Sequence, residues 1–134
     1  MNVLIIEDES IAARRLEDML KEVAPGWRVL AVLDSIESSV EFLTAGPEPD
    51  LIFMDIELGD GQSFEIFPRV SIDAPVVFIT AYQEHTLKAF KHNSIDYLLK
   101  PLNKEELRAA IDKYQKVQSL QKKQLQKIHA QNES

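Results

Sequence analysis

Four short stretches end on side chains that can do chemistry. "VLIIEDE" closes on Glu7, Asp8 and Glu9, and "LIFMDIEL" delivers Asp55 and, two residues on, Glu57. "VVFIT" stops at Thr80, and "DYLLKP" runs through Tyr97 to Lys100 and Pro101. Taken singly, each has an ordinary explanation. Acids after an apolar run tend to cap the next helix or complement its dipole. Brought together, they define a chemistry. Carboxylates packed against one another must share a proton or hold a cation. With no His or Cys beside them they are hard oxygen ligands, suited to Mg²⁺ held by one or two carboxylates, waters and often a phosphate. A metal, a lysine and a hydroxyl around one central aspartate would neutralise the equatorial oxygens of a phosphoryl group in transfer. Aspartate is itself a nucleophile that forms acyl phosphates.

These groups converge only if the chain brings the four run ends to one place. Five apolar runs punctuate it: 3–6, 27–33, 51–54, 76–80 and 97–99. All but the second are near-continuous in Val, Ile, Leu and Phe, as in strands buried on both faces. Helix-like segments lie between them. "SIAARRLEDMLKEV" spaces Ile11, Leu16, Met19, Leu20 and Val23 along one face. "DSIESSVEFLTAG" opens with Asp34 and Glu37 at capping-box spacing and ends at Gly46. "GQSFEIFPRV" is a weaker helix, interrupted by Pro68. "EHTLKAFKHN" sets Leu87 and Phe90 on one face, and "NKEELRAAIDKYQKVQ" starts with Asn103 and Glu106 at cap spacing. Strand and helix alternate five times. This predicts an α/β fold, a (βα)5 doubly wound five-stranded parallel sheet of the flavodoxin or receiver-like kind. In such a sheet, function gathers at the carboxyl ends of the strands.

Composition narrows the field. The 134 residues make one domain, with 45% hydrophobic and 28% charged residues and no cysteine. Disulfides, zinc–thiolate sites and cysteine nucleophiles are excluded. "MNVLII" lacks a basic leader and is too short for a signal peptide or a membrane span, so a cytoplasmic protein with no membrane partner is expected. Residues 1–103 carry eight Lys and Arg against eighteen Asp and Glu, and residues 104–134 carry seven against four. The acidic body should repel nucleic acid, while the basic tail reads equally well as a solvated helix face. There is no Gly-rich phosphate loop, and "EDES" would repel nucleotide phosphates. A phosphoryl group must therefore arrive already activated.

"VLIIEDE", "LIFMDIEL", "VVFITAY" and "DYLLKP", in that order, resemble the response-regulator receiver domain of two-component signalling. The wording of "FITAYQEHTLKAFKHNSIDYLLKPL" is most similar to receivers of LytTR-type transcription regulators. The resemblance covers residues 1 to about 115 and implies roles for the matching positions. Asp55 would accept a phosphoryl group from a sensor histidine kinase in a Mg²⁺-dependent reaction. Asp8 would bind the metal directly, Glu7 mostly through water, and the backbone carbonyl of Glu57 would be a further ligand. Lys100 would pair with the phosphoryl oxygens. Thr80 and Tyr97 would form the switch, the hydroxyl of Thr80 moving to the phosphoryl group and the ring of Tyr97 following inward. Glu57 and Tyr82 would line the path of attacking water and set the lifetime of the phosphorylated state. In this family the bond before Pro101 is usually cis, which turns the lysine inward.

Output would pass through the face built by the fourth helix, fifth strand and fifth helix, with Phe90, Lys91, Asp96 and Arg108 on or near it. A phosphorylation-dependent homodimer could form there. On this reading residues 1–118 are the phospho-receiver domain. Residues 119–134 are a C-terminal linker helix toward an absent output domain, through which alone DNA would be bound. Such a chain is no enzyme beyond its own phosphorylation and dephosphorylation. The rivals are three. A haloacid-dehalogenase-like aspartyl phosphatase would place its nucleophile after the first strand, whereas here the acid cluster comes first. A flavodoxin-like binder would need a hydroxyl-rich loop where "EDES" stands. A receiver that serves only as an unphosphorylated interaction module would lack one of Asp8, Asp55, Thr80 and Lys100.

Overall fold

The structure is a computed structural model that describes residues 1–81 and 94–132. Its elements are β1 (Asn2–Ile6), α1 (Ser10–Val23), β2 (Arg28–Leu33), α2 (Ile36–Ala45), β3 (Leu51–Asp55), β4 (Glu57–Leu58), β5 (Gly61–Gln62), a 3₁₀ turn (Ser63–Ile66), β6 (Val76–Thr80), β7 (Ser94–Leu99) and α3 (Lys104–Asn132). Five strands form one parallel sheet in the order β2-β1-β3-β6-β7, and β4 pairs antiparallel with β5. This is the expected doubly wound sheet.

The three central strands, β1, β3 and β6, are covered on both sides, which is why their sequences do not alternate. Successive residues serve opposite faces. Val3, Ile5 and Phe53 pack with Leu16 and Leu20 of α1 and Leu107, Ile111 and Tyr114 of α3. Leu4, Ile6 and Met54 pack on the other side with Ile36 of α2 and Ile66 of the 3₁₀ turn. Each fully buried aliphatic side chain contributes about 1.5–3 kcal/mol relative to exposure. β2 and β7 are the edges, and their residues are accordingly less completely buried.

The termini of the helices depart from the sequence reading in two places. Ile11 is not part of the buried stripe of α1 but 84% exposed, because at about 100° per residue it stands on the helix face opposite the buried Leu20. The cap of α2 is Ser35 rather than Asp34. Ser35 Oγ accepts the Ser38 N–H at 3.0 Å and Ser38 Oγ accepts the Ser35 N–H at 3.2 Å, so two serines make the capping box. Glu37 instead pairs with Arg69. The stretch expected as a weak helix from Gly61 is a hairpin strand followed by one 3₁₀ turn. Gly61 has a φ of +138°, outside any helix, and Pro68 bars extension on the other side. The expected helix over "EHTLKAFKHN" lies outside the described residues. Among the described residues, no helix is long and apolar enough to cross a membrane.

α3 starts as its sequence predicts. Asn103 Oδ1 accepts the Glu106 N–H at 2.8 Å, and Leu107, Ala110, Ile111 and Tyr114 form its buried stripe. Tyr114 donates to the Asp50 carbonyl at 3.1 Å beneath the sheet and stands edge-on to Trp27. The helix continues without a break past residue 118.

Candidate functional site

The parallel register carries four reactive groups to one sheet edge. Ile6 pairs with Met54, Asp55 with Ile79, and Thr80 with Leu99. Glu7 extends the β1 ladder by one bond, its N–H reaching the Leu33 carbonyl at 2.8 Å. Lys100 does the same for β7, donating its N–H to the Thr80 carbonyl at 2.9 Å. The Lys100–Pro101 peptide bond is cis.

The ammonium of Lys100 sits among the acids. Its Nζ is 2.6 Å from Glu7 Oε1, 2.9 Å from Asp55 Oδ2 and 2.9 Å from Glu9 Oε1. An ammonium has three donors, and all three are used here. Glu7 and Asp55 are buried, whereas the Glu9 side chain is two-thirds exposed. Carboxylate oxygens of Glu7, Asp8, Glu9 and Asp55 lie within 4.8 Å of one another. The donor set is all hard oxygen, and one lysine cannot balance four acids. These residues therefore fit a hard divalent cation.

The protonation of the site reflects this excess. Burial, then the hydrogen bond to Asp55, pushes Glu7 up to about 8, against the pull of Lys100. Asp8 is raised as well, by burial first and the Asp55 charge second. Burial works against the charge on Lys100, but its bonds to Glu7, Asp55 and Glu9 outweigh that and raise its pKa. The crowded carboxylates share one lysine here.

The other predicted residues take varied positions. The Glu57 N–H reaches Asp55 Oδ1 at 3.2 Å, and Glu57 Oε1 accepts from Gln62 Nε2 at 3.2 Å across the β4–β5 hairpin. Thr80 is fully buried at the end of β6. Tyr97 is half-buried and packs on the α2 face of the sheet, beside Phe78 in the strand register. Asp96 accepts the Tyr97 N–H at 2.8 Å. Arg108 is exposed on α3. Tyr82, Phe90 and Lys91 lie outside the described residues. Two participants carried no assigned role in the sequence reading. Glu9 was visible in "EDE" but has the spacing of a helix cap; its side chain caps nothing and turns to Lys100. Asp60 stands in the turn of the β4–β5 hairpin, and its carboxylate accepts the first N–H groups of α2.

A groove of ≈ 380 Å³ opens beside these groups. Ile11, Ala12 and Arg15 of α1 line one side and Pro101 and Leu102 the other, with Asp55 and Lys100 reaching it.

Residues 3–112 match the family described as "Response regulator receiver domain". The chain is 33% identical to the sensory transduction protein LytT of Bacillus anthracis, across 96% of this chain and 52% of that protein. It is 36% identical to LytT of Enterococcus faecalis, across 87% of this chain and 48% of the relative. It thus spans about half the length of the relatives it matches. Among solved structures, the signal receiver domain of a modulated diguanylate cyclase from Desulfovibrio desulfuricans superimposes with a TM-score of 0.75 at 31% identity, covering 90% of this chain and 97% of that one. The response regulatory domain of protein mrkE from Klebsiella pneumoniae gives 0.78 at 26% identity, covering 87% and 97%.

Proposed function

The chain belongs to the response regulator receiver domain family, and from that membership we propose that it takes up a phosphoryl group on Asp55 and passes the signal on through β7 and α3. The observation that carries this reading is the single ammonium of Lys100 bonded at once to Asp55, Glu7 and Glu9 inside a cluster of four carboxylates. Two buried carboxylates held against one another by a lysine cost stability, and such clusters gather where chemistry needs them.

The proposed resident cation is Mg²⁺, held by Asp8, Asp55 and the Glu57 carbonyl with Glu7 behind them. When bound, it supplies positive charge to the phosphoryl oxygens. The protein's own residues do the rest. An Asp55 carboxylate oxygen attacks phosphorus in line. The new P–O bond forms as the bond to the donor breaks, and the donor leaves with its electron pair. Lys100 holds the attacking carboxylate and then neutralises the charge on the transferred group. The Thr80 hydroxyl donates to a phosphoryl oxygen, and Tyr97, on the adjacent strand, moves with it. Glu57 and Tyr82 would govern access of water to the acyl phosphate.

A sensor histidine kinase is the proposed donor. The apolar groove by Asp55, with Ile11 exposed on its rim, supports docking of a protein rather than of a small phosphoester. Because the relatives are about twice as long, α3 is proposed to join the receiver to a further, DNA-binding domain. Phosphorylation would strengthen a homodimer through a face that includes Asp96 and Arg108. Incubation with acetyl phosphate and Mg²⁺, followed by intact mass of the wild type and Asp55→Asn, tests the central claim. One phosphoryl group on the wild type and none on the variant is expected; an unmodified wild type overturns it.

A further inference from the structure

The residues after Asp55 form a hairpin that is pinned from both sides. Glu57 opposes Gln62 and Leu58 opposes Gly61, with Gly59 and Asp60 in the turn. Toward the acid cluster, Gly59 lies against Asp8; a Cβ there would stand 3.8 Å from Asp8 Oδ2. Away from it, the Asp60 carboxylate grips the start of α2. Its two oxygens accept the Ile36 N–H at 2.9 and 3.0 Å, and Oδ2 also faces the Glu37 N–H at 3.3 Å. Gly61 completes the seat. Its φ is +138°, and a Cβ there would meet the Glu65 carboxylate first and then Ile36 Cδ1 at 3.1 Å.

The grip is more than a helix cap. The first N–H groups of a helix lack partners within it. α2 already has a complete local box, in which Ser35 satisfies the Ser38 N–H and Ser38 satisfies the Ser35 N–H. Asp60 comes from 24 residues away and bonds to N–H groups that box leaves free. Ile36, whose N–H it takes, is 4% exposed and packed on the sheet. The turn is thereby fastened to the rigid body of the protein, and it carries the Glu57 carbonyl at its near end.

We propose that Asp60 is a positioning residue of the phosphorylation site, holding the 57–61 hairpin so that the Glu57 carbonyl and Asp8 present a preformed place for a divalent cation. This rests on the reading of Asp55 and its neighbours given above. Groups that orient ligands without touching the metal change affinity by roughly 10–100-fold when removed. An exposed, solvent-tolerant tether belongs at the low end of that range.

Calorimetric titration of the full chain with MgCl₂ tests the inference, with thermal unfolding recorded for each variant. Asp60→Ala should weaken Mg²⁺ binding about tenfold. Asp60→Asn should recover most of it, because a carboxamide oxygen still accepts the Ile36 N–H. The double variant Ser35→Ala/Ser38→Ala loosens the same helix end without untying the hairpin, so it should lower the melting temperature yet keep the wild-type affinity. Gly61→Ala, which sets a side chain on a backbone of φ +138° against the Glu65 carboxylate and Ile36, should weaken binding as Asp60→Ala does. Wild-type affinity in Asp60→Ala overturns the inference, as does an equal loss in the serine double variant. A wild type that takes up phosphate and binds Mg²⁺, beside an Asp60→Ala that binds it equally, defeats the role of Asp60 alone. A wild type that does neither defeats the site itself.

Discussion

The Lys100 ammonium lies 2.9 Å from Oδ2 of Asp55, although the two residues come from β7 and β3, strands separated in the sheet by β6. Reach across an intervening strand is what a long, unbranched side chain offers. Replacing it with one of similar length and no charge isolates the electrostatic part. Lys100→Met should slow phosphorylation by acetyl phosphate by about a hundredfold or more, the scale of losing one preorganised charge partner. The time course of mass gain reads this directly, and a wild-type rate would remove Lys100 from the reaction.

Asn103 holds the entrance of α3 through its bond to the Glu106 N–H. Asn103→Ala should cost about 1 kcal/mol of stability, while Asn103→Asp should cost a small fraction of that. Urea denaturation of the three proteins makes the comparison. Equal losses in both variants would mean that the side chain's packing, rather than its oxygen, matters.

Ser63 presents the opposite case. It is fully buried, and among the described residues its hydroxyl has no hydrogen-bond partner. An unsatisfied buried hydroxyl costs about 1–3 kcal/mol. Ser63→Ala should therefore be neutral or stabilising by up to about 1 kcal/mol. A clear drop in the urea midpoint would contradict this.

Tyr114 should give the fold a dependence on high pH. Burial first, and the charge of Asp50 second, push its hydroxyl from 10.0 up to about 12. The folded protein thus keeps a proton that the unfolded chain loses. Between pH 10 and 12 the folded state binds more protons, so stability falls as pH rises through that window. Tyr114→Phe should lose the bond to the Asp50 carbonyl at neutral pH. Its stability should then decline less steeply than that of the wild type across the same window. Parallel curves from thermal melts would rule out this contribution.

Much of this molecule is written in its apolar runs. Val3–Ile6, Leu51–Met54 and Val76–Thr80 are central strands, and their unbroken hydrophobicity is the direct result of packing on both faces. The same runs place Glu7, Asp55 and Thr80 at their ends, so those groups could be read before any coordinates. What escaped depended on partners distant in sequence. Ser35 displaces Asp34 as a cap because Ser38 stands at the matching position and Asp60 already supplies the carboxylate. Glu9 leaves the start of α1 because Lys100, 91 residues away, draws it into the site. Ile11 is apolar, yet it stands on the face of α1 opposite Leu20, and apolar character alone does not register that phase. Gly61 and Gln62 join a hairpin because the φ of Gly61 suits a turn that periodicity does not register.

α3 spans Lys104–Asn132, about 43 Å at the usual rise per residue. Its last residue in the core cluster is Tyr114, bolted beneath the sheet by the bond to Asp50. Beyond that point it is a shaft, keyed at one end and of fixed angular phase. Anything attached further along inherits both its distance and its compass bearing from the sheet. Removing one residue from the exposed stretch would draw such an attachment in by only about 1.5 Å but swing it by about 100°. In this geometry the length of the helix, counted in residues, sets a bearing as well as a distance.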